Sequence, residues 1–266
     1  MQKLFKVLNK PLQHGLLGVE IEVEAANPLP QEMKDWNVTH DGSLRGAHAA
    51  EYVLKKPLSL PATMSAIADL RKVLEPVDLQ WSFRTSVHVH MNVLNMTKQQ
   101  VDCFIYSYLL LEEVLVAFCG KHREGNRFCL RVRDAENLVS EVSRFFAAKD
   151  FTFPQRDVYR YSSLNLDALK KFGSLEFRGM RGTIDKDVLD VWVNALVRLR
   201  SFSMKFGTIH EISDTFVCTP DDVFLEMVFG KAIAAAITPK NGNLSEMMSD
   251  TYSLTMALLL ADHGIR

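Results

Sequence analysis

The sequence predicts an α+β fold, a mostly antiparallel sheet with helices covering one face and a helical C-terminal third. Three observations predict it. First, "GVEIEVEA", "TSVHVHMNV" and "SLEFRG" alternate apolar with charged or polar residues, the period of a strand with one dry side. Second, residues 61 to 75 and 97 to 120 carry apolar residues at helical spacing. Third, beyond residue 185 the chain reads as successive helices.

In chain order, "GLLGVEIEVEA" is a strand with Val19, Ile21 and Val23 on one side and Glu20, Glu22 and Glu24 on the other. "WNVTHDGSLR" is a strand end and a turn signalled by Asp41-Gly42. "AEYVLKKPL" is a second strand, limited by Pro57. "PATMSAIADLRKVLE" is a helix opening on proline. "WSFRTSVHVHMNVL" is a third strand, with His88 and His90 on one face. Thr97 caps a single long helix that stops at Gly120. "KHREGNRFCLRVR" is a basic loop leading to a short element, and residues 134 to 148 form a short helix. "RYSSLNLDALKKFGSLEFRGMRG" gives two strands and a connection, with Glu176 and Arg178 opposite Leu175 and Phe177. Residues 185 to 205, 220 to 236 and 243 to 262 are helical.

Composition narrows the function class. A chain of 266 residues with 47% hydrophobic and 24% charged residues can bury a full core, and we expect one domain over 1–266. Its sheet core spans about 15–185 and its helical part about 186–266. A net charge of −1 argues against a protein that coats nucleic acid, so no nucleic-acid partner is expected. Cys103, Cys119, Cys129 and Cys218 form no C-x-x-C pair and read as reduced thiols. The first twenty residues lack a secretory core, and no apolar run makes a convincing span. The expectation is a cytoplasmic protein without a membrane partner.

Summed over the strands, the polar sides carry Glu20, Glu22, Glu24, Glu51, Arg84, His88, His90, Asn165, Glu176 and Arg178. Each pattern alone is ambiguous. E-x-E occurs as surface charge, H-x-H as a hydrogen-bonded pair, and E-x-R as a cross-strand ion pair. Together they stack carboxylates that repel one another, a conflict a divalent cation resolves. Carboxylates and imidazoles without thiolate suit Mg²⁺ or Mn²⁺, and zinc also accepts such donors. An arginine among them points to a shared anion such as a polyphosphate.

The ordered motifs "GVEIEVE", "DGSL", "AEYVLKKP", "TSVHVHMNV", "REGNRFC", "YSSLNL" and "LEFRGMRGT" resemble the phage and bacterial amidoligase family, which is similar to glutamine synthetase and glutamate–cysteine ligase. The resemblance covers roughly residues 15 to 185, and its match after Glu51 is loose. It implies a curved antiparallel sheet whose concave face binds ATP and Mg²⁺ or Mn²⁺. ATP phosphorylates a carboxylate, and an amine displaces phosphate to give an amide. The substrates implied are small-molecule, peptide or protein carboxylates and amines, in the host cytoplasm if the chain is phage-encoded. By motif position, Glu20, Glu22, Glu51, His88 and Glu176 match metal ligands. His90 and Arg178 match contacts to the nucleotide phosphates, and Arg178, Glu51 and Glu176 would act in the chemistry. Arg123, Asn126 and Arg127 match an R-x-x-N-like segment near the nucleotide. One metal would be held by Glu20, His88 and Glu176, and a second by Glu22 and Glu51. Asp41 reads equally as a ligand or as a turn former. Competing readings are a kinase of the same fold, a noncatalytic nucleotide- or metal-binding phage protein, and a metal-dependent hydrolase.

Overall fold

The computed structural model describes residues 2–153, 157–240 and 242–260. Among them are seven strands and eleven α-helices. Alternating Val, Ile and Glu build β1, Leu17–Ala25. It is flanked by β3, His48–Leu54, and β5, Ser86–Asn92, both antiparallel to it. Beyond β3 lies β2, Trp36–Thr39; beyond β5 lie β7, Ser174–Arg181, and β6, Leu164–Asn165. The order is β2-β3-β1-β5-β7-β6, and the two-residue β4, Leu79–Gln80, pairs with the end of β1.

The apolar parity of these strands makes the core. Val19, Ile21, Val23, Val87, Val89, Met91, Leu175 and Phe177 are all buried. Helices α2 (Leu60–Leu74) and α7 (Lys186–Ser203) pack on β1 and β5, and α4 (Glu112–Cys119) packs on β7. Each such side chain contributes roughly 1.5–3 kcal/mol on leaving water. A charge at Val89 would therefore cost more than any surface change on the same strand. The expectation of helices on one face of an antiparallel sheet is met.

Three boundaries differ from the sequence reading. The expected helix from 97 to 120 is two: α3, Lys98–Leu110, and α4. Thr97 does cap α3, in a reciprocal box with Gln100. The interruption falls at Leu111, with φ −116° and ψ 8°. It puts Glu112 and Glu113 in the first turn of α4, where the helix dipole favours carboxylates. The expected helix from 220 to 236 is also two, α9 (Asp221–Phe229) and α10 (Lys231–Ile237). Gly230 separates them at φ +73°, which only glycine adopts without strain. The connection within 160–182 is itself a helix, α6, Asp167–Phe172. Gly173, at φ +74°, ends α6 and turns the chain directly into β7.

The remaining helices are α1 (Leu4–Val7), α5 (Glu136–Ala147), α8 (Ile209–Val217) and α11 (Leu244–Leu260). The end of the helix expected over 243 to 262 lies outside the described residues. α8 was not expected, although Thr208 and Glu211 spell a capping signal: Thr208 accepts from the Glu211 amide. Among the described residues no helix is long and apolar enough to cross a membrane.

Candidate functional site

Strand register assembles the polar parity into one face. Glu22 lies opposite Glu51 and Glu20 opposite His88; His90 lies opposite Glu176, which lies opposite Asn165. Five strands therefore deliver one cluster. It is not a solvated surface: Glu22 is 3% exposed, His88 2% and Glu176 4%. Charges withdrawn from water this far must be paired or bound to a cation.

The hydrogen bonds fix most of the donors. Ser86 Oγ donates to Glu22 Oε2 at 2.5 Å, and its oxygen lies 2.7 Å from His88 Nε2. With the hydroxyl proton spent on Glu22, Nε2 donates to the Ser86 oxygen, and the other ring nitrogen, Nδ1, faces the carboxylates. That Nδ1 is 3.1 Å from Glu20 Oε2 and 3.7 Å from Glu176 Oε1. Arg178 Nη1 reaches it at 3.4 Å and Glu176 Oε1 at 2.5 Å. His90 Nε2 meets Glu20 Oε1 at 3.1 Å, and its Nδ1 meets Ser174 Oγ at 3.0 Å. Asn165 Nδ2 donates to Glu176 Oε2 at 2.7 Å, and Thr39 Oγ1 to Glu51 Oε2 at 3.0 Å. Arg178 Nε is buried with no partner.

Titration follows from these contacts. Burial acts to raise the Glu20 carboxyl, but hydrogen bonds from His88 and His90 outweigh it and hold it well below the usual range. Burial likewise opposes ionisation of Glu176, and the Arg178 guanidinium overcomes it. His90 is raised, because burial is outweighed by its bond to Glu20 and the Glu176 charge. Glu51 is pushed up to about 7, by burial and then by the charge of Glu20. The face thus holds more negative charge than its own cations neutralise.

Three groups of donor atoms lie within 4.8 Å of one another: Glu20 with Glu51 and His88, Glu20 with His90 and Glu176, and Glu22 with Asp41 and Glu51. Glu20 and Glu51 each belong to two groups, as bridging carboxylates do. The donor set, all oxygen and imidazole nitrogen, fits Mg²⁺ or Mn²⁺. All the expected ligands come together. The partition differs from the expectation: Glu51 joins Glu20 and His88, while His90 sits with Glu20 and Glu176. Asp41 forms the turn and lies within reach of the acidic pair. Its Oδ1 accepts from the Ser43 amide at 2.5 Å and it reaches the Glu22–Glu51 pair.

The R-x-x-N-like segment needs correction. Arg123 is fully buried, and its guanidinium donates to the carbonyls of Gly179, Phe83 and Arg178. Asn126 Nδ2 donates to the Phe83 and His122 carbonyls. Both side chains are spent on backbone, so neither is free to contact a nucleotide. Arg127 is exposed, with its guanidinium 4.9 Å from the Phe128 ring centre. Glu24 also serves structure: its carboxylate accepts from the Arg45 amide at 2.7 Å.

At the Gly18–Asn92–Ser174 end of the face opens a cleft of about 400 Å³. Glu20 and His90 form its floor, and Lys10, Lys55, Lys56 and Lys171 belong to its lining. Phe172 stands edge-on to His90 with centroids 5.4 Å apart. The sequence reading missed these lysines. In the sequence "KKP" at 55–57 reads only as a strand end, and nothing local ties Lys10 or Lys171 to the site. Ser86 and Ser174 could have been found, since they share parity with His88 and Glu176. No family model matches this chain, and no match is found among curated proteins.

Proposed function

We propose that this protein is an ATP- and Mg²⁺-dependent carboxylate–amine ligase of the amidoligase kind. The support is one observation: Glu20, Glu22, Glu51, His88, Glu176 and Arg178 converge on a buried face with donor atoms for more than one cation. Bound Mg²⁺ (or Mn²⁺) would neutralise charge between the phosphates and the acceptor carboxylate. Glu20, Glu22, Glu51, Asp41, His88 and Glu176 are the side chains to hold it.

The chain's own groups divide the remaining work. The lysine-rimmed cleft is of a size to take a nucleotide, and its lysines and His90 would neutralise the phosphates. Arg178 offers a fixed fork for oxygens of the transferring group. Glu176 and Asn165 hold that fork in place. A substrate carboxylate oxygen bonds to the γ-phosphorus and ADP leaves. An amine nitrogen then bonds to the carbonyl carbon, loses a proton and expels phosphate. Splitting the reaction this way replaces a poor leaving group by a good one.

Hydroxylamine with ATP, Mg²⁺ and a panel of small, peptide and protein carboxylates tests the reading. A hydroxamate with ADP and phosphate is expected, abolished by chelator. AMP and pyrophosphate would overturn the mechanism. A stable phosphorylated product without hydroxamate would make the protein a kinase, and hydrolysis without transfer a hydrolase. ATP binding that is equally strong in chelator would leave a nucleotide-binding module without the metal bridge.

A further inference from the structure

Resting on the ligase reading, we propose that the carboxylate substrate is carried on an acidic polypeptide segment. That segment docks on an arginine-and-aromatic surface at the opposite end of the sheet face from the cleft. Register defines the two ends. Leu17 pairs with Met91, and Asn92 with Ser174, on the cleft side. Glu24, Ser86 and Arg181 mark the other side, and Phe83 and Arg84 continue beyond it.

There Phe83, Phe128 and Tyr161 form a row with successive ring centroids 6.3 and 6.2 Å apart. Phe83 is 51% exposed and Tyr161 48%. The row is built, not incidental. Arg123 and Asn126 both donate to the Phe83 carbonyl, and the Leu130 amide donates to the Tyr161 carbonyl at 2.7 Å. Arg84 lies over Phe83 and Phe128, at 4.9 and 5.4 Å from their centroids; Arg127 lies over Phe128 at 4.9 Å and Arg160 over Tyr161 at 5.6 Å. Among the described residues the arginine ion pairs use Arg131, Arg133, Arg144 and Arg178. Among the same residues Arg84, Arg127 and Arg160 have no carboxylate partner.

A guanidinium stacked on a ring keeps its N–H edge free, and that edge matches a carboxylate. The positive charge of this surface offsets the repulsion that the acidic cluster exerts on an incoming anion. Arg84 also connects the surface to the chemistry, because its Nη1 donates to the Ser43 carbonyl in the loop that carries Asp41. The two ring steps reach at most about 12.5 Å end to end, up to the length of nearly four extended residues and more than a free amino acid needs. Single-stranded nucleic acid fits less well. Its bases need open ring faces, whereas these faces are covered by guanidiniums and Phe128 and Tyr161 meet at 69°.

The test is fluorescence anisotropy of fluorescein-labelled hexaglutamate with the full chain, without ATP. Saturable binding is expected that weakens with salt and at least tenfold in R127E/R160E. Both side chains are exposed, so the fold is not at stake. Phe83→Ala should weaken binding too. Glu176→Gln should retain it, so docking can be read even where turnover is absent. If no carboxylate gives hydroxamate but hexaglutamate still binds in this pattern, the ligase reading fails and the docking surface stands. Three results overturn the proposal: binding unchanged in R127E/R160E, free glutamate competing as well as the peptide residue for residue, or labelled oligouridylate binding more tightly at the same arginines.

Discussion

At the scale of single residues the site is held by bonds that leave specific atoms free. Asn165 and Arg178 bracket the Glu176 carboxylate, and Arg178 keeps its Nε without a partner. Glu176→Gln removes one of several like charges, so folding should survive. ATP consumption should fall to background. A wild-type rate in that variant would take Glu176 out of the site. Arg178→Lys keeps the charge and loses the fork, and its rate should drop on the order of 10²-fold, as for other preorganised donors. A near-normal rate would leave Arg178 with only an ion-pair role. Glu20, Glu22, His88, His90, Glu176 and Arg178 were legible because parity along a strand is a two-residue rule. Arg123 was not. In a basic loop nothing local says which arginine turns inward to bind carbonyls, and the one that does loses its edges for a ligand.

At the scale of elements, the break at Leu111 illustrates tertiary contacts overriding local pattern. The periodicity of "VDCFIYSYLLLEEVLVAFC" continues across it, which is why the sequence reads as one helix. The break lies beside Glu112, which is 2% exposed and needs partners. Glu112 accepts from the Val132 amide at 3.0 Å and from the Ser163 hydroxyl, both remote in sequence. Burial still pushes its carboxyl up to about 7 despite those bonds. A folded-state pKa above the unfolded one means the proton stabilises the fold. That stability is complete below about pH 4.5 and is lost as pH rises through about 7, a change of a few kcal/mol. Glu112→Gln cannot ionise, so its stability relative to wild type should rise steadily across that window. Denaturant melts of the two proteins at several pH values measure it, and parallel profiles would show that Glu112 titrates normally. The α9–α10 break at Gly230 and the α6 stop at Gly173 are of a different kind. Both glycines were visible in the sequence, but their left-handed conformations were not.

At the scale of the whole molecule, the helices bury one face of a sheet whose other face concentrates charge. The architecture was legible because each strand states which side is dry. The division of the cluster into cation groups was not, because register, not parity, sets which side chains become neighbours. Register puts Glu22 against Glu51 and Glu20 against His88. The apoprotein therefore carries opposed carboxylates in one half-buried place, a cost to folding that a divalent cation removes. A cation that binds only the folded state adds stability as RT ln(1 + [L]/Kd), about 2.7 kcal/mol at a hundredfold excess over Kd. For a chain of this size each kcal/mol raises Tm by about 2–4 °C. Mg²⁺ or Mn²⁺ should thus raise Tm by several degrees over a chelator control, without nucleotide. Glu51→Gln makes the reasoning specific. It removes one of the opposed charges, so its metal-free Tm should exceed that of wild type, while its gain from Mg²⁺ should shrink. If the cation gives the same shift in both proteins, it binds elsewhere. If it gives none in either, the carboxylate face does not hold a metal by itself, and any cation must arrive with the nucleotide.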